Sequence, residues 1–496
     1  RFWSDLGRLG AAAWGASGAP ADVVSVMTAI FTQFSSPSNS IVQLRTFPSN
    51  CRIETWPHIG LATLGRTMLN MLSPSLSLTL AFTAALTLGM LIKLWLATRQ
   101  IRHVAQHRAA VPSPFDQTIS LAAHQKAADY TQAKSRLGLL DMALGAAVLL
   151  GWTLLGGLQS LNDLIQSWMP VDAAPLWGQI ALLFGFIAVG AVIELPLSLY
   201  QTFVVEERFG FNKMTWRMWL VDGIKGIALG VIIGLPIAAL ILWLMGAAGA
   251  WWWFYAWSVW MGFNLLLMWI FPTFIAPIFN KFQPLEDETL KTRVTALMQR
   301  CGFAAKGLFV MDGSKRSAHG NAYFTGFGAS KRVVFYDTLL AKLSPPEVDA
   351  VLAHELGHFK HKHIVQRMVL MFAMSFAGFA LLGWLSKQLW FYAGLGVMPS
   401  LDGANSALAL ILFMLAVPVF SFFVSPLMAQ LSRKHEFQAD DYAIAQTNGT
   451  DLSSALLKLY EDNASTLTPD PLFVKFYYSH PPAIERLPRM TSRMLA

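Results

Sequence analysis

Charged residues are scarce in this sequence. Only 13% of its 496 residues are Asp, Glu, Lys or Arg and 54% are hydrophobic, which excludes an ordinary soluble domain. Cysteine is scarcer still: Cys51 and Cys301 lie far apart without metal-ligand spacing, so neither a disulfide framework nor a cysteine zinc site is indicated. Acidic residues are outnumbered, leaving a formal charge of +8. The excess Lys and Arg lie beside apolar runs, where the positive-inside bias accounts for them, and no nucleic-acid role follows. A polytopic α-helical membrane protein remains, with the lipid bilayer as its first partner.

Residues 1–72 scatter Gly, Ala, Ser, Pro and Asn without sustained periodicity, and they show neither an initiator Met nor a signal-peptide pattern. Met68 or Met71 is a natural start, so 1–72 is expected to be a poorly ordered N-terminal extension outside the fold.

Seven runs then approach the ~20 residues a bilayer core requires: 75–98, 137–158, 176–199, 224–247, 252–276, 365–388 and 405–428. The loops 99–136 and 201–225 are basic, with Arg102, Arg108, Lys126, Arg208 and Lys213 among them, whereas 159–175 and 245–251 contain neither Lys nor Arg. The basic loops are expected in the cytoplasm. An odd number of spans puts the N-terminus outside and the C-terminus inside.

The resulting organisation is 73–279 for spans one to five, 280–364 for a cytoplasmic catalytic segment, 365–428 for spans six and seven, and 429–496 for a C-terminal catalytic segment. The first soluble segment reads as a helix near 286–301, strands at 308–312, 321–326 and 332–336, and a second helix. Within the spans, Glu194 is an ionisable group that faces either a cavity or, by snorkelling, the inner membrane boundary.

The motif His354-Glu355-Leu356-Gly357-His358 sits on that second helix. Residues four apart share a helix face, so His354 and His358 present two imidazoles to one metal while Glu355 stands beside them, a zinc hydrolase pattern. Ser344, Pro345 and Glu347 mark the helix start, and Val348, Val351, Leu352 and Leu356 form an apolar stripe away from the histidines. Lys360, His361, Lys362 and His363 follow, and the bland reading of the whole run is a solvated His/Lys-rich helix.

A hydrolytic zinc takes three protein ligands and keeps one position open. The metzincin extension fails, because its Gly position is His361 and its last His position is Ile364. The best candidate for the third ligand is Glu436, which shares a helix face with Asp440, a residue able to orient a ligand histidine from behind; the bland reading of this stretch is a solvated charged helix end. His435 competes for the role but points about a hundred degrees away. On spacing alone, Asn321 is an ordinary turn residue after Gly320, and His480 a buried histidine in a Pro-Pro turn.

Several stretches in order, DYTQAKSRLGL at 129–139, EERFGFNKMT at 206–215, FPTFIAPIFNKFQPL at 271–285, NAYFTGFG at 321–328, HELGH, SRKHEFQADDYA at 432–443 and YSHPPAIERL at 478–487, resemble the type I CAAX prenyl endopeptidases. These are integral membrane zinc metalloproteases of gluzincin type. The resemblance implies seven transmembrane helices around an intramembrane chamber, an α+β zincin-like catalytic domain facing it, and one Zn2+ per chain. It implies His354, His358 and Glu436 as metal ligands, Glu355 and His480 as catalytic residues, Asp440 behind the ligands, and Asn321 on the substrate.

Three functions stay in view. The leading one is an endopeptidase cutting peptide bonds near the C-terminus of prenylated proteins. The second is a zinc endopeptidase for membrane-protein quality control, acting on unprenylated peptide or protein substrates, and the third a zinc-stabilised membrane scaffold. Short loops and the lack of an organelle-retention tail lean towards a bacterial inner membrane rather than the endoplasmic reticulum, with the catalytic side cytoplasmic.

Overall fold

The computed structural model describes residues 73–169, 175–303, 307–325, 332–400 and 404–495. The expected extension 1–72 lies outside them, as do residues 326–328 of the strand motif. Five long apolar helices come first: α1 (Pro74–Gln106), α2 (Leu121–Trp152), α3 (Pro175–Glu206), α4 (Trp216–Ala247) and α5 (Gly249–Phe279). Helix α2 begins well before the expected 137–158 run, because polar residues such as Asp129 and Lys134 continue the helix beyond the apolar stretch. Hydropathy marks where a helix is apolar, not where its hydrogen bonds begin.

The next unit alternates short strands and helices: β1 (Phe282–Pro284), α6 (Glu288–Arg300), β2 (Gly307–Met311), β3 (Ala322–Thr325), β4 (Arg332–Tyr336) and α7 (Pro345–Lys360). The sheet order is β1-β2-β4-β3, with β2 and β4 parallel and β3 antiparallel to β4 at one edge, Tyr323 opposite Val334. Val333, Val334 and Phe335 are all buried, which explains the unbroken apolar run in β4.

Helix α8 (His363–Leu385) is, among the described residues, the sixth helix long and apolar enough to cross a membrane. Helices α9 (Ser406–Ser421) and α10 (Ser425–Gln446) make a seventh span only as a pair, bent by 68°. The expected 405–428 run therefore covers α9 and the first residues of α10, whose remainder carries the acidic motif. Helices α11 (Gly449–Asp462), α12 (Pro471–Tyr477) and α13 (Ala483–Leu495) complete the chain.

Two main cores follow from this layout. Phe82, Leu242, Ile411 and Leu412 belong to the core among the membrane helices. Val294, Phe335, Val348, Leu352, Leu456 and Met490 belong to the catalytic core. Ion pairs of both polarities join the ends of the membrane helices to the catalytic unit. Arg99 Nη2 lies 2.9 Å from Asp470 Oδ2, and Arg316 binds Asp222 with both guanidinium arms. Tyr130 donates to Glu206 at 2.7 Å and packs on Phe211, so the 129–139 and 206–215 motifs join each other.

A cavity of about 1350 Å³ lies among the membrane helices, lined by Gly145, Leu183, Glu194, Trp260 and Phe413 among others. Glu194 thus faces the cavity, the first of its two expected placements. The lining reaches Ala429 and Tyr477 but includes neither motif histidine. Ala429 and Tyr477 lie on the elements that carry Glu436 and lead into His480, so the cavity extends towards the site.

Candidate metal centre

Helix α7 starts as the sequence indicates. Ser344 and Glu347 form a reciprocal capping box with Pro345 at the first turn. Glu347 also accepts from Lys458 at 2.8 Å and Ser454 at 2.6 Å, tying the start to α11. A helix this short is marginal alone; burial of Val348, Leu352 and Leu356, each worth about 2 kcal/mol, holds it against the core.

The opposite contact brings the site together. A Cβ on Gly357 would stand 2.9 Å from the Ala439 Cα, so the glycine lets α7 and α10 approach almost backbone to backbone. Glu436 consequently reaches both histidines: its Oε2 is 3.4 Å from His354 Nε2 and its Oε1 is 3.5 Å from His358 Nε2. Ligand atoms of these three residues all lie within 4.8 Å of one another. Corners of a tetrahedron with ligand bonds of about 2.1 Å are roughly 3.4 Å apart, so the spacing suits one zinc-sized ion.

Charge and hydrogen bonding fit a cation as well. Glu436 Oε2 is buried without a hydrogen-bond partner, an expensive condition that ligation removes. Burial works against a positive His354, yet the Asp440 and Glu436 carboxylates raise its pKa to about 10. His358 is pushed down to about 2, by burial first and then by the His354 charge. The carboxylates thus favour positive charge here, and a divalent ion competes with the proton for His354.

Asp440 sits behind His354. Its Oδ1 is 2.9 Å from His354 Nδ1, an ion pair on the side of the ring away from Glu436. Buried Arg486 grips the same carboxylate with both arms and holds it ionised against the cost of burial. His480 Nε2 is 3.3 Å from Glu436 Oε1, and Ser479 Oγ is 3.0 Å from its Nδ1. Burial lowers the His480 pKa.

Glu355 follows His354 on α7, half-buried. Burial of the carboxyl raises it to about 7. Asn321 opens β3; its carbonyl accepts from Tyr336 N at 3.0 Å, and its side-chain oxygen accepts from Ala322 N at 2.8 Å. His435 stacks on His363 with ring centroids 4.0 Å apart, turned from the ligand cluster as the helical angle requires. Sequence reasoning missed Arg486, Gln438 and His363. Arg486 lies within the quoted YSHPPAIERL stretch, and Gln438 within SRKHEFQADDYA.

Comparison with known proteins bears on this geometry. Residues 284–494 match the family model described as Peptidase family M48, and 100–281 match the one described as CAAX prenyl protease N-terminal, five membrane helices. The chain belongs to peptidase family M48. A CAAX prenyl protease 1 homolog of Arabidopsis thaliana is 40% identical over 67% of this chain and 74% of the relative. CAAX prenyl protease 1 of Saccharomyces cerevisiae is 38% identical over 60% and 69%. The crystal structure of S. mikatae Ste24p superposes with a TM-score of 0.78 at 32% identity, covering 83% of this chain and 99% of that one. As an M48 peptidase, the protein is a multi-pass membrane metallopeptidase, and the scaffold alternative falls away.

Proposed function

We propose that this M48 peptidase is a zinc endopeptidase that cuts near the C-terminus of prenylated proteins. The observation that carries it is the convergence of His354, His358 and Glu436 beside Glu355, in a chain whose relatives are named CAAX prenyl proteases. His354, His358 and Glu436 hold one Zn2+, with Asp440 orienting His354. An ion held by these three residues would supply a lowered pKa for a water molecule and polarisation of a peptide carbonyl.

The protein's own residues do the rest. Glu355 takes the proton of the attacking water and passes it to the departing amine. His480 donates from Nε2 to the oxyanion that forms on the scissile carbonyl. Asn321, at the edge strand β3, hydrogen-bonds an extended substrate backbone laid along the sheet edge.

Product mass spectrometry on purified protein, given matched prenylated and unprenylated peptides, tests the substrate class. Cleavage confined to the prenylated peptide near its C-terminus is expected. Equal cleavage of both would favour the quality-control reading.

The membrane and its sidedness belong to the same proposal. The compared relatives come from a plant and a yeast, which favours the endoplasmic reticulum over the bacterial inner membrane expected from loops and tail. The catalytic side is assigned to the cytoplasm from the basic loops, and contacts such as Arg99 with Asp470 put those loops at the catalytic end. A cysteine probe near Asp163 should label from outside and one near Lys126 should not. The opposite pattern would reverse the orientation.

A further inference from the structure

The run Lys360-His361-Lys362-His363 reads in sequence as a solvated tail of the motif helix, but the fold returns its last member to the site. Lys362 adopts φ 56°, a left-handed backbone uncommon for a residue bearing a side chain. That residue separates α7 from α8 and lets the chain double back, leaving His363 only 1% exposed. Its Nδ1 lies 3.0 Å from His358 Nδ1, and its Nε2 lies 2.9 Å from Gln438 Oε1. Its ring lies flat on His435, with an interplanar angle of 10°.

These contacts order the protons along a chain. An amide oxygen only accepts, so His363 Nε2 carries a hydrogen, and in the neutral imidazole Nδ1 then keeps its lone pair. His358 Nδ1–H donates to that lone pair, which leaves His358 Nε2, the atom facing Glu436, unprotonated and able to bind a metal. Turning the Gln438 amide over would reverse each donor and put a hydrogen on His358 Nε2, where no metal can bind.

We propose, given the reading of His354, His358 and Glu436 as metal ligands, that His363 is a positioning residue that sets the tautomer and ring orientation of His358, with Gln438 fixing its own. Helix α10 then serves the metal twice, through Glu436, which binds it, and Gln438, which orients His363, while His435 only stacks on the His363 ring. The two ligand histidines have outer partners of different chemistry, a carboxylate behind His354 and a neutral imidazole behind His358.

The test is zinc affinity of the purified full-length protein by chelator competition, with the thermal midpoint of the metal-free protein in detergent as a second readout. His363→Leu removes the acceptor and is expected to weaken zinc about 10- to 100-fold. His363→Asn, whose side-chain oxygen falls near the place of Nδ1, should recover most of the loss. Equal weakening by both variants would mark lost packing and overturn the proposal, as would wild-type affinity in His363→Leu. Should His363→Leu fail to fold, Gln438→Leu leaves every histidine in place and decides the matter: reduced affinity at an unchanged midpoint supports the tautomer chain, and unchanged affinity overturns it. Zinc retained by Glu436→Ala would instead overturn the ligand reading itself, a distinguishable result.

Discussion

Glu355→Gln is expected to lose proteolysis almost completely while keeping its zinc. The substitution is nearly isosteric and leaves His354, His358 and Glu436 in place, so the ligand cluster with its 3.4 and 3.5 Å separations is untouched. It also removes a half-buried carboxyl whose charged form partial burial disfavours, so folding should not suffer. Peptide hydrolysis still needs a base for the attacking water, and an amide cannot serve. Removing such a base typically costs about 10²- to 10⁴-fold in rate. Metal content by elemental analysis beside peptide cleavage makes the distinction. Wild-type cleavage by the variant, with contaminating proteases excluded, would remove Glu355 from the role of base.

Glu436→Ala should show the complementary pattern, with zinc itself released. The residue is 1% exposed, and its two oxygens lie between the histidines. The loss should exceed the ~10- to 100-fold expected of an outer partner such as Asp440. Asp440→Ala is the internal scale for that comparison, although freeing the buried Arg486 partner adds a folding cost. His435→Ala should keep the metal, because that ring faces His363 rather than the cluster. Zinc lost from His435→Ala and retained by Glu436→Ala would exchange the roles of the two neighbours.

Different elements of this protein were legible to different depths. The start of α7 was readable in detail, since Ser344, Pro345 and Glu347 act within one turn and a capping box needs no distant partner. The strands at 307–311 and 332–336 were readable for a similar reason, as short apolar runs containing β-branched and aromatic residues. The start of α2 was not, because nothing in an apolar run marks how far its helix extends into a polar region. The bend between α9 and α10 was also hidden, since the apolar run continues through the turn at 422–424 where the two arms meet at 68°.

For the site, sequence alone determined the chemistry that is local to one helix. His354, Glu355 and His358 share a turn spacing, as Glu436 and Asp440 do, and a period of 3.6 residues assigns each set to a face without reference to the rest of the chain. The tertiary structure decided what those faces meet. Gly357 against Ala439 sets the approach of α7 to α10, Arg486 grips Asp440 from a third helix, and Lys362 turns His363 back beneath His358. Each of these depends on residues brought together by packing or by an unusual backbone angle, and periodicity along the chain carries no record of either.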